Sequence, residues 1–388
     1  MSNAVCSGQA DKEGGIVISG DAIKVGVVGC GKISDVYLEN CRASEDVEVV
    51  ACADLDEKRA RKKAALYGVP HSGSVADLLE EGDLDVVLNL TVPQAHHTVS
   101  LAALREGMSV HTEKPLAIEL EDARRILEEA DDRGLRVGCA PDTFLGGGLQ
   151  TCRKLIDDGA IGEPVAATAR LLTHGPEDWH PDPAFFYQHG AGPMFDMGPY
   201  YLTTLATLIG PVRRVSGSAR TTFPERTVTS APKSGTKIEV NTPTHVTGVM
   251  DFENGAVGTI ITSFDVWTEH APQVEIFGSE GSLMLPDPNT FGGPVRLWRA
   301  DGNEWTDILL THNHTRTCRG IGLIDMARAL RSGEQHRATG ELGYHVLEVM
   351  HAFYDSSREG RHIDVKSSFE RPAPLSTENL FLDDTARR

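Results

Sequence analysis

The sequence predicts an α/β protein with a doubly wound parallel sheet in its N-terminal part and an α+β domain after it. From Ile23 to Cys139, short apolar runs alternate with amphipathic stretches of helical spacing. Such alternation is typical of βαβ units, whose right-handed crossovers place helices on both faces of a parallel sheet. After about Gly146, strand patterns are joined by turn sequences such as ENGA and GSEG, which predict hairpins of a large, mostly antiparallel open sheet.

The predicted strands of the first part are short and apolar throughout, as expected of strands that are buried on both faces. They are IKVGVVG from Ile23, VEVVACAD from Val47, LDVVLNLTVP from Leu84, MSVHTE from Met108 and LRVGCAP from Leu135. Predicted helices alternate with these strands, and several are followed by a glycine that fits a helix C-cap. These helices span residues 33–41, 57–67, 75–81, 97–106 and 120–132.

The second part combines longer strand patterns with a few helical stretches. The strand patterns begin at Pro164, Val212, Thr244, Ala256, Gln273 and Val295. Helices are predicted at 149–158, after Gly198, at 320–330 and at 342–359.

The composition narrows the classes of partner. A chain of 388 residues is long enough for two or three domains, and its net charge of −19 disfavours nucleic acids and anionic membranes as partners. Seven scattered cysteines indicate reduced thiols, because no disulfide or metal-binding framework is evident. No apolar run reaches the roughly 18 residues of a membrane span, and no signal peptide opens the chain. We therefore expect a cytoplasmic protein that acts on a small molecule.

A glycine-rich turn follows the first strand. Gly29 fits the tight turn and Gly31 fits the close approach of a pyrophosphate, and a helix begins directly after them. Ser34 takes the third small position, where glycine or alanine is usual. An acidic residue at the end of the second strand fits a contact to the adenosine ribose. The first part is therefore predicted to be a Rossmann dinucleotide-binding domain with cofactor contacts from Gly29, Gly31, Lys32, Ile33 and Asp54.

Asp54 also favours NAD over NADP, because its carboxylate accepts the ribose hydroxyls and repels a 2′-phosphate. Asp56 adds to that repulsion. Lys58 and Arg59 are basic and favour the phosphate, but both fall inside the next predicted helix and are expected to face solvent. NAD is the expected cofactor, with NADP as the alternative.

At NLTVPQAHH and HTEKPLA the chain resembles the Gfo/Idh/MocA family of oxidoreductases, especially members of the glucose–fructose oxidoreductase and inositol dehydrogenase type. Thr91, Pro93 and His96 match the family's fourth-strand motif, with Val92 where a second proline is common. Residues 113–115 match the family's EKP motif. The resemblance runs from about residue 23 to about residue 365, nearly the whole chain.

The resemblance implies a reaction site at the EKP motif. Ligands of open α/β sheets bind outside the carboxyl ends of the strands, where Lys114 is predicted to lie beside the nicotinamide ring. A lysine there can donate to a substrate hydroxyl and stabilise developing alkoxide charge. The alternative is a structural lysine that pairs with Glu113 and closes the strand. The cofactor contacts implied by the resemblance are Thr91, Pro93, His96, Glu113 and Lys114.

The stretch GPMFDMGPYY supplies the second half of the implied site. In the family, a D-x-G-x-H segment faces the nicotinamide, and its histidine transfers the proton. Here Asp196 and Gly198 match, whereas Tyr200 stands in place of the histidine. We expect Tyr200 to be the base, because a nearby ammonium and the cationic nicotinamide both favour tyrosinate, and Asp196 to bind a neighbouring hydroxyl. The alternative is that Tyr200 and Tyr201 pack at a helix start that Asp196 caps.

A loop at 173–190 is rich in His, Trp, Tyr and Asp. Aromatic faces beside polar groups suit a sugar ring, so Trp179 and His180 join Lys114, Asp196 and Tyr200 as expected substrate contacts. The alternative is a surface loop whose aromatic side chains pack on the sheet. No histidine pair has a carboxylate or cysteine at metal-ligand spacing, so no metal is expected.

Together these features predict an NAD-dependent dehydrogenase that transfers hydride between a secondary alcohol and nicotinamide. The expected substrate is a sugar, a cyclitol or a sugar derivative, possible amino sugars included, and the resemblance implies a homodimer or homotetramer. Two alternatives stay open: a redox-neutral sugar-modifying enzyme with tightly bound NAD, and a non-catalytic binding protein. The expected organisation is a flexible leader at 1–21, the Rossmann domain at 22–145, a substrate and oligomerisation domain at 146–370 and a tail at 371–388.

Overall fold

The structure is a computed structural model that describes residues 9–10, 16–17, 22–80, 83–378 and 380–381. The chain divides into two compact units. The first comprises the described residues within 1–142, 317–343 and 378–388, and the second comprises residues 143–316 and 344–377. The predicted domains are consecutive in sequence, whereas the first unit also takes in a later segment of the chain.

Two short strands, β1 (Gln9–Ala10) and β2 (Ile16–Val17), pair in antiparallel fashion within the leader expected at 1–21. The other residues of that leader lie outside the described residues, as do residues 379 and 382–388 of the expected tail.

The main sheet of the first unit is parallel throughout, which confirms the predicted doubly wound fold. Its strands are β3 (Ile23–Val28), β4 (Val47–Ala53), β5 (His71–Gly73), β6 (Val86–Asn89), β7 (Ser109–Thr112) and β8 (Val137–Cys139). Their order is β5-β4-β3-β6-β7-β8, so the chain reverses direction across the sheet between β3 and β6. Five of these strands carry the predicted apolar runs. The edge strand β5 is only three residues long and shows no such pattern.

The helices between these strands follow the predicted amphipathic stretches. They are α1 (Ser34–Cys41), α2 (Glu57–Tyr67), α3 (Val75–Glu80), α4 (Pro93–Arg105) and α5 (Leu120–Asp132). Gly68 ends α2 in the left-handed conformation with φ of 71°, as predicted for a C-cap glycine.

The second unit contains a sheet of nine strands that is mostly antiparallel, as predicted. Chain order gives β9 (Pro164–Leu172), β10 (Val212–Arg220), β11 (Glu225–Thr227), β12 (Lys237–Glu239), β13 (His245–Phe252), β14 (Val257–Ser263), β15 (Val274–Gly278), β16 (Gly281–Met284), β17 (Val295–Arg299), β18 (Thr306–Ile308) and β19 (Ile363–Asp364). The large sheet has the order β18-β17-β16-β15-β9-β14-β13-β10-β19, and β9 and β14 form its parallel pair. Strands β11 and β12 form a separate hairpin.

The remaining helices are α6 (Gly147–Asp157), α7 (Gly192–Asp196), α8 (Gly198–Ile209), α9 (Ile321–Ser332) and α10 (Gly340–Glu359). Short 3-10 turns cover Thr143–Leu145 and Pro183–Tyr187.

Helix α10 packs on the nine-stranded sheet through Phe353, which is fully buried. The paired residues Gly217 of β10 and Gly248 of β13 leave room for this ring. A Cβ atom would lie 2.8 Å from a Phe353 ring carbon at Gly217 and 2.5 Å at Gly248, closer than carbon atoms approach. The two glycines therefore make room on the interior face of the sheet for the Phe353 ring.

Helix α9 belongs to the first unit because a buried carboxylate holds its N-terminus. Asp142 follows β8 and is fully buried, and its Oδ2 accepts from the backbone N–H groups of Gly320 at 2.7 Å and Gly322 at 3.1 Å. An anion at a helix N-terminus stabilises the helix dipole. At the other end of α9, Arg328 and Arg331 both pair with Asp46 before β4. These contacts explain why residues 317–343 group with the Rossmann sheet.

Two buried histidines also lie between α9 and the parallel sheet. His111 of β7 is fully buried, and neither of its ring nitrogens has a hydrogen-bond partner in the described part of the chain. His336 follows α9, and its Nε2 lies 3.1 Å from the carbonyl oxygen of Val137. Burial lowers the pKa of His111 to about 3 and that of His336 to about 4. Both rings are therefore neutral in the folded protein at pH 7.

In the described residues no helix is long and apolar enough to cross a membrane. Six cysteines, at positions 30, 41, 52, 139, 152 and 318, are buried free thiols.

The buried histidines predict a loss of stability in mild acid. The unfolded chain binds a proton at each histidine below its ordinary pKa of about 6.5, whereas the folded protein does so only near 3 to 4. The free energy of unfolding should therefore fall as the pH decreases from 6.5 towards 4. Replacing His336→Gln should remove about 2 kcal/mol of the loss between pH 7 and pH 5.

Urea denaturation of the two proteins at both pH values measures this difference. His362→Gln, at an exposed position, is the matched control and should leave the pH dependence unchanged. Burial raises the pKa of Asp142 to about 6, which opposes the histidine effect equally in every variant. Equal pH dependence in His336→Gln and the unchanged protein would contradict the prediction.

Candidate cofactor and substrate sites

The turn after β3 has two glycines with different reasons to be glycine. Gly29 has a φ of 100°, and a Cβ atom there would lie 2.6 Å from the carbonyl group of Leu90. Gly31 has neither constraint: its φ is not in the left-handed region, and apart from its neighbours no described atom lies within 4 Å of an added Cβ. The space beside Gly31 is thus open, as a turn that receives a pyrophosphate requires.

Helix α1 begins behind this turn. Ser34 is fully buried, and its Oγ donates to the carbonyl oxygen of Gly31 at 2.7 Å, so a small polar side chain fits the third position. Lys32 and Ile33 are exposed at the tip of the turn. No described side chain caps the N-terminus of α1, which leaves its positive dipole end for an anion.

Asp54 directly follows β4 and is buried against the glycine turn. Its Oδ2 accepts from the backbone N–H of Cys30 at 2.8 Å, and its Oδ1 accepts from that of Asp56 at 2.9 Å. A carboxylate has about four acceptor positions, so two remain for ribose hydroxyls. Arg59 is exposed, as expected, and its Nη1 also lies 3.6 Å from Asp54 Oδ2. Arg59 lies in the first turn of α2, so its guanidinium can reach the end of β4.

The end of β6 carries the fourth-strand motif. Thr91 Oγ1 donates to Asn89 Oδ1 at 2.7 Å, and Pro93 is the first residue of α4. His96 is buried, with Nδ1 2.7 Å from the carbonyl oxygen of Pro115 and Nε2 3.1 Å from that of Thr91. Burial lowers the pKa of His96, and a neutral imidazole can donate to only one of these oxygens. The ring therefore joins the ends of β6 and β7.

The EKP motif follows β7. Glu113 is buried, its Oε1 accepts from the hydroxyl of Tyr37 at 2.8 Å, and its Oε2 accepts from the backbone N–H of Lys114 at 3.0 Å. Glu113 thus fixes the backbone of Lys114 directly after the end of β7. Lys114 is half-buried, and its peptide bond to Pro115 is cis.

The segment GPMFDMGPYY forms α7, a one-residue break at Met197 and the start of α8. Asp196 ends α7, and Met197 occupies the N-cap position of α8. Tyr200 and Tyr201 are both buried. The hydroxyl of Tyr201 has no hydrogen-bond partner among the described residues, and burial raises its pKa, as expected for a packing residue.

The loop after β9 borders a cavity of about 1150 Å³ in the second unit. Trp179 lines this cavity and is 65% exposed. His180 does not line it; the ring packs on Phe185 and Phe186 at centroid distances of 5.3 Å, and its Nδ1 accepts from the backbone of Asp182 at 3.0 Å. The two residues predicted as sugar contacts thus have different surroundings.

Two residues that line the cavity, Trp267 and Arg226, were not predicted from the sequence. Trp267, from the loop after β14, is 80% exposed and stacks on His174 with ring centroids 3.4 Å apart. Arg226 of β11 is buried in the wall and pairs with Glu177 and with Asp265, the latter at 3.0 Å. The stretch FDVWTEHAP around Trp267 is rich in aromatic and charged residues, a signal like that of the loop after β9. Arg226 shows no local signal, because its partners are distant in sequence.

The described residues contain no group of three or more His, Cys, Asp or Glu side chains that could hold a metal ion.

Two family models match the chain. Residues 23–140 match the oxidoreductase family with an NAD-binding Rossmann fold, and residues 149–284 match the GFO/IDH/MocA C-terminal domain. The chain is 30% identical to inositol 2-dehydrogenase 3 from Saccharopolyspora erythraea over 278 residues, which cover 70% of this chain and 75% of that protein.

The similarity extends over most of the chain. Myo-inositol 2-dehydrogenase from Thermotoga maritima is 24% identical over 351 residues, covering 89% of this chain and 99% of that protein. The crystal structure of an NAD binding oxidoreductase from Klebsiella pneumoniae has a TM-score of 0.79 and 22% identity, covering 89% of this chain and 100% of that one. With both domains matched and a relative at 30% identity, the chain belongs to the GFO/IDH/MocA family of NAD-binding oxidoreductases, as its motifs indicate.

Proposed function

We propose that this protein is an NAD-dependent dehydrogenase acting on a secondary alcohol of a sugar or cyclitol. The observation that carries the proposal is the alignment of the glycine turn, Asp54 and the EKP motif along the carboxyl edge of one parallel sheet. Ligands of doubly wound sheets bind at that edge. The two relatives described above are named as inositol dehydrogenases, which supports a ring with several hydroxyls as the substrate.

The cofactor site is built from backbone and one carboxylate. We propose that the open space beside Gly31 and the uncapped N-terminus of α1 take the pyrophosphate. The two acceptor positions left on Asp54 take the adenosine ribose hydroxyls. NAD, when bound, supplies the acceptor for the hydride.

Three side chains act on the substrate in this proposal. Lys114 donates to the hydroxyl that is oxidised and stabilises its developing negative charge. Tyr200 takes the proton of that hydroxyl as the hydride leaves carbon, and Asp196 accepts from a neighbouring hydroxyl. The contacts of Glu113 support the assignment of Lys114, since they fix the backbone from which that side chain projects.

The assignment of NAD over NADP rests on Asp54. A 2′-phosphate would carry a second negative charge into contact with a buried carboxylate. Arg59 offers a partial counter-charge at 3.6 Å but already pairs with Asp54. NAD is therefore the proposed cofactor.

We further propose that the protein assembles as a homodimer or homotetramer in the cytoplasm. Val249 and Val257 are 37% and 46% exposed on the face of the nine-stranded sheet opposite to the buried Ile260. An exposed apolar sheet face favours association with a second copy. The six buried free thiols support a reducing compartment.

The two turn glycines should fail in different ways when replaced by alanine. Gly31→Ala should fold normally but bind NADH about tenfold or more weakly, because its Cβ would enter the space proposed for the pyrophosphate. Gly29→Ala should lower the free energy of unfolding by about 2 kcal/mol, because alanine is strained at that φ and clashes with the Leu90 carbonyl. NADH titration and urea denaturation of both variants separate the effects. Unchanged NADH affinity in Gly31→Ala would contradict the proposed phosphate position.

Tyr200→Phe should reduce kcat by about 10²- to 10⁴-fold while NADH still binds, since it removes the proposed general base. Tyr201→Phe is the matched control: it deletes a neighbouring buried hydroxyl without a described partner and should keep full activity. Lys114→Met should behave like Tyr200→Phe. Activity is measured as NADH formation with inositols and sugars.

Wild-type activity in Tyr200→Phe would exclude this tyrosine as the base. Absence of NADH formation with every polyol tested would contradict the dehydrogenase proposal. Multiple turnovers without added NAD would indicate instead the redox-neutral reaction.

Asp54→Asn should lower the ratio of kcat/KM with NAD to kcat/KM with NADP by about tenfold or more. The negative charge is lost, whereas the amide oxygen can still accept from the Cys30 N–H. The measurement is kcat/KM with each cofactor. Asp54→Asn combined with Arg59→Ala is the control, and it should use NADP less well than Asp54→Asn alone. An unchanged ratio in Asp54→Asn would show that this carboxylate does not select the cofactor.

A further inference from the structure

The cavity of about 1150 Å³ in the second unit has two exposed indole rings on its walls. Trp179 and Trp267 are 65% and 80% exposed, unusual values for large aromatic side chains that are highly buried on average. Trp267 is held by its stack on His174, with an interplanar angle of 14°. Indole faces kept open to a cavity of this size are typical of sites that bind rings or cations.

The carboxylates around this cavity are not all neutralised. Glu177 pairs with Arg226, and Glu225 pairs with Lys237 at 2.7 Å. In the described part of the chain, the two other lining acids, Asp178 and Glu269, have no ion-pair partner. The cavity therefore presents net negative charge.

The unpaired acids stand next to the indoles in sequence. Asp178 directly precedes Trp179, and Glu269 follows Trp267 by two residues. Burial raises the pKa of Glu269, and the charges of Arg170 and His270 act against that shift. Arg170 itself lies 3.9 Å from Glu275. Both indoles and both carboxylates line the same cavity, and aromatic faces together with negative charge favour the binding of organic ammonium groups.

The cavity wall behind these groups is held in place by hydrogen bonds within the protein. Besides its two carboxylate partners, Arg226 donates to the carbonyl oxygens of His174 and Phe264, the latter at 2.9 Å. Thr244 donates to Asp265 at 2.7 Å and so fixes the second carboxylate that holds Arg226. A rigid wall lowers the entropy lost when a ligand binds.

We propose that this cavity binds a ring that carries a protonated amine, an amino sugar or an aminocyclitol. The ring lies against Trp179 and Trp267, and the ammonium group lies between Asp178 and Glu269. The volume exceeds that of a single hexose and leaves room for a substituent. The inference rests on the proposed function only in the choice of a sugar-like ring.

The test measures equilibrium binding of small molecules to the full chain in the absence of NAD. Binding is detected by the change in tryptophan fluorescence and by calorimetry. The probes are glucosamine and glucose, which differ in one amino group, and 2-deoxystreptamine and scyllo-inositol as the cyclitol pair. Each amine should bind about tenfold or more tightly than its neutral counterpart. Equal affinity within both pairs, or no binding by either amine, would overturn the proposal.

Variants assign the binding to this cavity. Glu269→Gln and Asp178→Asn should each weaken the amines about tenfold and leave the neutral probes unchanged, while Trp267→Ala should weaken both classes. Glu304→Gln, an exposed acid outside the cavity, is the matched control. Unchanged amine affinity in both acid variants would overturn the assignment, provided that thermal unfolding shows them to be folded.

Failure here is distinguishable from failure of the dehydrogenase proposal. NADH formation with neutral polyols tests the hydride transfer alone, and binding without NAD tests the cavity alone.

Discussion

The parallel register of β3, β4, β6 and β7 is the constraint on which the candidate cofactor edge depends. Parallel strands end at the same edge of a sheet, so the turns that follow them all lie along that edge. Backbone hydrogen bonds extend this register beyond the strands themselves: Leu90 N–H donates to Val28 O at 2.8 Å, and Glu113 N–H donates to Asn89 O at 2.9 Å. The candidate site residues lie one or two positions after these hydrogen-bonded residues. The strand pairing still fixes the direction of the backbone there.

Most of the first unit was predictable because its signals are local. A buried parallel strand must be apolar at consecutive positions, and the turn after β3 must be glycine for steric reasons that Gly29 shows directly. The place of α9 was not predictable in this way. Its docking depends on Asp142, a carboxylate almost 180 residues earlier in the chain, and nothing near Gly320 marks a change of unit.

The candidate substrate residues show the same limit. Trp179 was found because it lies in a loop whose composition is unusual. Trp267 and Arg226 were missed because the cavity they line is assembled from three separate segments. The sequence also distinguished Tyr200 from Tyr201 only through the family pattern, since both side chains are buried in the fold.

The hydrogen bond between Asp54 and the N–H of Cys30 ties two properties of the protein together. The same carboxylate that faces the proposed ribose site also holds the glycine turn in shape. A substitution at Asp54 that changes the cofactor preference without disturbing the turn must therefore keep a side-chain oxygen that accepts from the Cys30 N–H. Replacements that lack such an oxygen would change the cofactor preference and the shape of the turn together.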